Sequence, residues 1–328
     1  MSIRTCLGCL LAAGLLTGCG SSADSASDSL ALTEMSGAYT ADLSASGSHA
    51  LVGAVTHGGS LWDLSQQARQ FDWNHRAGEF SVLSAVDFSP SGRYALTANP
   101  QDLVLWNVST GAAEGFWSSP GEILDAVLSR DGNYALLGLG NHEAVYFDVR
   151  QGGIRASLRH PARVRSLSLS SDEQYALTGA DDYVARFWDL QSGTELQRIE
   201  LGNTVDTVAL APNGRLAFSS GSLDQAVVWN TSTGEPLFHL SGDDTFFPKR
   251  VSYLSARFSA NSDQLLVGRA DGVVELWDLN RQSVQRRWKL DKRAAYGPTS
   301  TGVLAVEFGA DGASWLAVGS NGLMNWLR

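Results

Sequence analysis

The chain has 328 residues and a formal net charge of −10 at pH 7, with 44% hydrophobic and 18% charged residues. This acidic balance argues against a nucleic-acid-binding protein, which needs clustered Lys and Arg side chains to neutralise phosphates. The most basic short stretch, Arg286 to Arg293, is interrupted by apolar and acidic residues. The sequence contains no P-loop, nucleophile elbow, His-Glu-x-x-His or dinucleotide-binding motif, so we expect neither enzymatic activity nor a cofactor.

The first segment of the chain is typical of a secretory signal. Residues 1–18 contain one basic residue, Arg4, and a short apolar stretch that ends in small residues. This stretch is too short to form a stable membrane-spanning helix. Leu16-Thr17-Gly18-Cys19 resembles the lipobox of bacterial lipoproteins. The resemblance implies that residues 1–18 are removed and that Cys19 carries lipid as the new N-terminus.

The next residues are small and polar, and they predict a flexible tether over residues 19–28. Cys6 and Cys9 leave with the signal and Cys19 carries lipid, so we expect no disulfide in the mature protein. In bacterial lipoproteins, Gly20 rather than Asp after the cysteine favours the outer membrane of a diderm cell. The expected location is therefore the cell envelope, on the outer membrane and facing the periplasm.

One phrase recurs along the remaining chain. "SPSGRYALTANPQDLVLW" (Ser89 to Trp106) returns from Ser129 to Phe147, from Ser170 to Trp188 and, less closely, from Ala211 to Trp229. Period-2 patterning with frequent turn residues predicts four short antiparallel strands in each copy. Seven copies end in an aromatic residue at intervals of 41 to 49 residues, at Trp62, Trp106, Phe147, Trp188, Trp229, Trp277 and Trp326. Residues 29–328 are therefore predicted to form an all-β, seven-bladed propeller.

The aromatic residue is followed by Asp or Asn in six of the seven copies. With the repeat length, this resembles the WD40 repeat family. The fourth copy matches that family best, and the resemblance implies a structural hydrogen-bond network of His160, Thr178, Asp182 and Trp188. The resemblance implies that the protein is a protein-interaction scaffold. We expect it to be a monomeric propeller that binds an unidentified envelope protein.

A closed ring must cover its last sheet edge. The seventh copy ends after its third strand, so its outer strand must come from elsewhere in the chain. Ser29 to Thr33 aligns with an outer strand and alternates apolar Leu30 and Leu32 with polar residues. We therefore predict that this N-terminal segment completes blade seven.

Stacking the predicted inner strands gives a charged column beside the axis. Arg257, Glu307, Asp42 and Asp87 fall on four consecutive blades. A small ligand or a cation held by the carboxylates of Asp42, Asp87 and Glu307 is one interpretation, because hard cations bind oxygen ligands. The other is that Arg257 pairs with Glu307 while the aspartates are solvated.

Two insertions lengthen the connections between blades five and six (Gly242 to Arg250) and between six and seven (Lys292 to Gly302). Both join an outer strand to the next inner strand, so they are expected to be neighbours on one face. Aromatic residues flanked by basic ones are typical of binding hot spots. The predicted partner-binding residues are Phe246, Phe247, Lys249, Arg250 and Tyr296. The alternative is that the two phenylalanines pack locally.

Overall fold

The computed structural model describes residues 23–33, 37–222, 225–240, 251–293 and 301–328. Their strands form seven sheets, each with its inner, second, third and outer strands in antiparallel order. The predicted all-β, seven-bladed propeller is thus confirmed. No helix within these described ranges is long and apolar enough to cross a membrane.

The strands are numbered in chain order. The first two are β1 (Asp24–Ser25) and β2 (Asp28–Ala31). Blade one contains β3 (Ala38–Leu43), β4 (His49–Ala54), β5 (Gly58–Asp63) and β6 (Ala68–Trp73). Blade two contains β7 (Ala85–Phe88), β8 (Tyr94–Ala98), β9 (Asp102–Asn107) and β10 (Ala113–Ser118). Blade three contains β11 (Ile123–Leu128), β12 (Tyr134–Leu139), β13 (Glu143–Asp148) and β14 (Ile154–Arg159).

The remaining blades follow the same order. Blade four contains β15 (Val164–Leu169), β16 (Tyr175–Ala180), β17 (Val184–Asp189) and β18 (Thr194–Glu200). Blade five contains β19 (Val205–Leu210), β20 (Leu216–Gly221), β21 (Gln225–Asn230) and β22 (Pro236–His239). Blade six contains β23 (Tyr253–Phe258), β24 (Gln264–Arg269), β25 (Val273–Asp278) and β26 (Ser283–Lys289). Blade seven contains β27 (Val303–Phe308), β28 (Trp315–Gly319) and β29 (Leu323–Leu327).

Burial along each strand follows its place in the blade. The second strand of blade four, β16, is buried at five of six positions, because neighbouring blades cover both of its faces. Near-continuous apolar sequence such as "YALTGA" suits that position. The outer strand β18 alternates between exposed and half-buried residues along its whole length. The polar, alternating sequence of the outer strands therefore reflects their contact with solvent.

The N-terminal segment closes the ring. β2 pairs antiparallel with β29, from Asp28 opposite Trp326 to Ala31 opposite Leu323. Leu32 is fully buried in the cluster between blades seven and one, and Leu30 packs against that cluster. The predicted closure is confirmed, although the strand begins one residue earlier than the sequence indicates. Pairing of β2 thus removes an open sheet edge from β29.

The preceding residues also bind the propeller. β1 pairs in parallel with β26, with Asp24 opposite Trp288 and Ser25 opposite Lys289. These two residues lie within the segment predicted as a flexible tether. A two-residue strand is too short to produce a period in the sequence, which explains why alternation did not indicate it.

The hydrophobic core lies between the blades. The described residues form seven clusters of buried apolar side chains, and each cluster joins two adjacent blades, including blades seven and one. Tryptophans of three outer strands add hydrogen bonds to the next blade. The indoles of Trp73, Trp117 and Trp288 donate to the carbonyls of Gly111, Val149 and Arg328 at 3.2, 3.1 and 3.0 Å. Each blade is therefore held mainly by its neighbours, which makes the ring one cooperative unit.

Candidate functional site

An axial channel of about 620 Å³ runs between the inner strands of the blades. Inner strands have no neighbour on the axial side, so the backbone N–H groups that point there lack a ladder partner. Side chains from the preceding blade supply acceptors. Asp42 accepts from the N–H of Phe88 at 2.8 Å, and Asp87 accepts from the N–H of Leu128 at 2.6 Å. The sequence-predicted axial aspartates therefore connect adjacent blades.

Asp125 continues this series and was not identified from the sequence. Its carboxylate accepts from the N–H of Leu167 in blade four at 2.8 Å. In blade three the column that contains Asp42 and Asp87 is occupied by Val127. Asp125 lies two residues earlier and so faces the same side of its strand. Examining both same-facing positions of each inner strand would have found it.

Hydroxyl groups make the corresponding bonds on the other side of the ring. Ser166 and Ser168 accept from the N–H groups of Val208 and Leu210, each at 3.0 Å. Thr207 donates to the carbonyl of Tyr253 at 2.8 Å. Polar side chains of successive inner strands therefore link blades one to six through the channel wall.

Arg257 lies between two of the predicted carboxylates. Its Nε is 3.1 Å from Oε2 of Glu307, and its Nη2 is 3.3 Å from Oδ1 of Asp42. The pairing of Arg257 with Glu307 that the sequence left open is present, whereas Asp42 bonds to protein groups and is not merely solvated. The guanidinium thus provides positive charge among these carboxylates.

Burial alters the acidity of the channel carboxyls. It raises the pKa values of Asp42 and Glu307, against the opposing effect of Arg257. Burial and the neighbouring charge of Asp42 raise the pKa of Asp87 well above its usual range. Burial also raises the pKa of Asp125 to about 7. These four carboxyls therefore carry less negative charge at neutral pH than their number implies.

The structure gives no support to the cation site predicted at Asp42, Asp87 and Glu307. In the described part of the chain, no three His, Cys, Asp or Glu side chains are grouped so that they could hold a metal ion. The carboxylate of Asp42 instead accepts hydrogen bonds from Phe88 and Arg257, and that of Asp87 accepts one from Leu128. The carboxylates of Asp42 and Asp87 form hydrogen bonds that connect adjacent blades.

A second candidate site is the face that carries the connections between blades. In a four-stranded antiparallel blade, the loop from the second to the third strand and the link from the outer strand to the next blade emerge at the same end. We call this end of the propeller the link face. The turns after the first and third strands form the opposite face, here called the turn face.

Large exposed apolar side chains are concentrated on the link face. The described residues include ten such side chains, of which six lie at this end: Tyr39, Val55, Phe80, Val82, Tyr183 and Leu254. The other four lie on outer strands: Phe116, Ile154, Leu196 and Leu237. Phe80 and Val82 are 69% and 63% exposed on the link between blades one and two. Of these four, Ile154 and Leu237 lie at the turn-face ends of β14 and β22, while the turns of that face contain none of the ten.

β-Bulges place some of these side chains at the mouth of the channel. The inner strands β3, β23 and β27 each begin with a register shift, which leaves Tyr39, Leu254 and Leu304 unpaired. A bulge redirects the side chain of its extra residue. Leu254 and Leu304 line the channel, and Tyr39 occupies the corresponding strand position in the next blade.

The predicted partner-binding residues fall outside the described residues. These are Phe246, Phe247, Lys249, Arg250 and Tyr296, and the predicted lipid attachment at Cys19 falls outside them as well. The links that carry the loop residues run from the outer strand β22 to β23 and from β26 to β27. The described ends of both links lie at the link-face ends of these strands.

The structure connects three of the four residues predicted to form a network in blade four. Thr178 Oγ1 lies 2.7 Å from His160 Nε2 and accepts from the indole of Trp188 at 2.9 Å. Asp182 accepts from Arg186 at 3.0 and 2.5 Å. Arg186 is buried on the third strand, so this carboxylate compensates a cation that the family resemblance did not indicate.

Blade two contains an equivalent triad that the sequence analysis did not identify. Thr97 Oγ1 lies 2.9 Å from His75 Nε2 and accepts from the indole of Trp106 at 2.8 Å. The threonine-to-tryptophan spacing of nine residues, against ten in blade four, was the available signal. The histidine was missed because it lies 22 residues before its threonine, compared with 18 in blade four.

Comparison with known families agrees with this architecture. The family model described as "WD domain, G-beta repeat" matches residues 153–189 and 234–278, which include the third strands of blades four and six. No curated protein has a sequence that matches this chain. The protein is a seven-bladed, all-β propeller, and two segments of it match the WD40 repeat model.

Proposed function

We propose that this protein is a lipid-anchored envelope protein that serves as a non-catalytic protein-interaction scaffold and binds its partner through the link face. Lipid on Cys19 would hold the propeller at the outer membrane on its periplasmic side. The lipobox-like Leu16-Thr17-Gly18-Cys19 supports this attachment. WD40 propellers are typical interaction scaffolds, which supports the binding role.

The distribution of exposed apolar side chains carries the proposal. Six of the ten large exposed apolar residues in the described ranges are at the link-face end, against two, Ile154 and Leu237, at the turn-face end. Exposed apolar groups that cluster on one face mark interaction sites, because contact with a partner removes them from water. Aromatic residues such as Tyr39 and Phe80 are suited to act as the centre of such an interface.

The binding mechanism is rigid presentation. Seven clusters of buried side chains and the inter-blade hydrogen bonds fix the blades relative to one another. The loops on the link face are therefore held in place before a partner arrives, which lowers the entropy lost on binding. The channel carboxylates and the two blade histidines bond to structural partners, which supports a role without catalysis.

The experiment compares matched variants in intact cells by crosslinking and affinity capture. The link-face variant combines Tyr39→Ser, Phe80→Ser and Val82→Ser. The control combines Phe116→Ser, Ile154→Ser and Leu237→Ser on outer strands, so both remove three exposed apolar side chains. A third variant, Phe246→Ser with Phe247→Ser and Tyr296→Ser, tests the loop residues predicted from the sequence.

We expect one envelope protein to be captured by the native protein and by the control, and to be lost with the link-face variant. Equal capture by all folded forms would contradict binding through this face.

Lipid attachment at Cys19 is tested in a separate experiment. Replacement Cys19→Ala should release the protein from the membrane fraction, and a protein that stays in that fraction would contradict lipid attachment at this residue.

A further inference from the structure

The N-terminal segment follows a defined path over the outside of the propeller. β1 lies on the outer edge of blade six beside Trp288 and Lys289. The chain then crosses to blade seven, where Ser27 hydrogen-bonds to the carbonyl of Trp326 through both its backbone N–H and its hydroxyl at 2.8 Å. We call Asp24 to Thr33 the strap. Its first strand determines where the chain leads toward Cys19.

The chain length between the strap and Cys19 is short. Three residues separate Cys19 from Ala23, the first described residue. Four residue steps span at most ~14 Å even when fully extended. The radial depth of a four-stranded blade is similar, about 14 Å for three inter-strand spacings. A lipid on Cys19 therefore keeps the outer edge of blade six near the bilayer, while blades on the opposite side of the ring stay beyond its reach.

The same edge is basic in an otherwise acidic chain. Residues 281–293 contain six Lys or Arg residues and one acid, Asp291, whereas the whole chain has a net charge of −10. Arg281, Arg286 and Lys292 have exposed side chains. Arg287 is compensated by buried Glu275 at 3.1 Å, and Asp24 and Asp28 of the strap add negative charge beside the cluster. Arg281 also lies 3.7 Å from Asp278, so six cations face five acids at this edge and a small excess of positive charge remains.

We propose that the outer edge of blade six, formed by β26 and β1, lies against the phospholipid headgroups of the membrane, so that the propeller stands edge-on to the bilayer. This inference rests on the lipid attachment in the proposed function. Headgroup phosphates complement the exposed Arg and Lys side chains, because cations close to an anionic membrane surface are attracted to it. The link face then opens sideways, where a partner can reach it.

The test uses the purified, lipidated, full-length mature protein in vesicles of phosphatidylethanolamine and phosphatidylglycerol. Cys19 carries lipid and the sequence has no further cysteine after it, so a single added thiol is labelled cleanly. Ser283→Cys places a fluorophore on the outer strand of blade six. Ser157→Cys places it on the outer strand of blade three, and both serines are exposed. A nitroxide quencher is attached to the lipid headgroups.

We expect the label at position 283 to be quenched several-fold more strongly than the label at position 157. Insertion of a long Gly-Ser stretch between Gly20 and Ser21 should reduce the difference, because only the headgroup contacts of the basic edge then orient the ring. Equal quenching at the two positions, or stronger quenching at 157, overturns the inference. A difference unchanged by replacing phosphatidylglycerol with phosphatidylcholine overturns the role of the basic residues.

Mass spectrometry of the same preparation tests lipid attachment at Cys19 separately from the edge-on orientation. A lipidated Cys19 with equal quenching at both labels overturns the edge-on orientation and leaves the proposed function standing. An unmodified Cys19 overturns the lipid attachment and the orientation together. A lipidated Cys19 with selective quenching at position 283 supports both.

Discussion

Asp125 of blade three accepts a hydrogen bond from the backbone N–H of Leu167 in blade four, with 2.8 Å between Oδ2 and the nitrogen. Burial raises the pKa of this carboxyl to about 7 from its ordinary value of 3.8. The folded protein therefore holds the proton of Asp125 at pH values where the unfolded chain has lost it. The contribution of this group to stability is largest below about pH 4 and declines as the pH rises toward 7.

We predict that Asp125→Asn raises the free energy of unfolding above pH 7, by on the order of 2 kcal/mol. The amide oxygen can still accept from Leu167, and the cost of ionising a buried carboxyl disappears. Urea unfolding of both proteins at pH 4.5 and pH 8 measures the effect. As a control, Asp125→Ala removes the acceptor and should be destabilising at both pH values. Parallel pH profiles for wild type and Asp125→Asn would contradict the assignment.

A second prediction concerns the cation of the channel. Arg257→Gln leaves Glu307 and Asp42 without their shared counter-ion. Because the Arg257 side chain is 42% exposed and solvent screens its charge, we expect a loss of roughly 1–2 kcal/mol in the free energy of unfolding at pH 7. Adding Glu307→Gln to this variant should restore part of the loss, because a neutral pair needs no counter-ion. Urea midpoints of the single and double variants provide the measurement. A double variant less stable than Arg257→Gln alone would show that the two residues do not form a coupled pair.

A third prediction tests ring closure. Leu32 is fully buried between blades seven and one, so Leu32→Ala should lower the free energy of unfolding by about 2–4 kcal/mol. Ser29→Ala provides a control on the same strap, since Ser29 is exposed and should be nearly neutral. Thermal unfolding followed by tryptophan fluorescence compares the two. Equal midpoints for Leu32→Ala and wild type would mean that the strap is not part of the cooperative ring.

The sequence was sufficient for the architecture but not for the chemistry of the channel. The period-2 pattern and the recurring aromatic residues predict seven blades because every blade satisfies the same packing constraint. The role of Asp125 was not predicted, because the polar channel residue occupies one of two different positions on the inner strand, depending on the blade. The strand β1 was not predicted, because a two-residue strand shows no periodicity and its position depends on its pairing with β26. Asp182 paired differently because Arg186, a residue outside the family pattern, had to be compensated in a buried site.

A fourth prediction concerns the hydroxyls at the centre of the two blade triads. Thr97→Val and Thr178→Val remove the acceptor of a tryptophan indole. Each should lower the free energy of unfolding by about 1–3 kcal/mol, because a buried N–H is left unpaired.

Burial lowers the pKa values of His75 and His160 to about 4. The unfolded chain therefore binds protons first as the pH falls, so these histidines reduce stability between about pH 6.5 and pH 4.

The histidine part is checked with His160→Gln, which cannot gain a proton. The variant should lose less stability than wild type when the pH is lowered from 6.5 to 4.5, measured by urea unfolding. A variant that retains the wild-type slope would mean that His160 is protonated in the folded protein.

The last prediction comes from comparing the turns that join inner and second strands. Five blades have glycine with positive φ at one position of this turn: Gly47, Gly92, Gly132, Gly214 and Gly312. Blade six has Ser262 there, with a φ of 61° and a backbone N–H bonded to the carbonyl of Ser259 as in the glycine turns. Its buried hydroxyl has no hydrogen-bond partner.

A side chain in this conformation costs about 1–2 kcal/mol relative to glycine, offset by the greater entropy that glycine loses on folding. We therefore expect Ser262→Gly to raise the free energy of unfolding by about 0.5–1 kcal/mol, with the unpartnered hydroxyl removed as well. The converse change in a neighbouring blade, Gly214→Ser, should lower it. Urea midpoints of both variants test the pair together, and shifts of the same sign in both would show that the backbone conformation of this turn does not govern its stability.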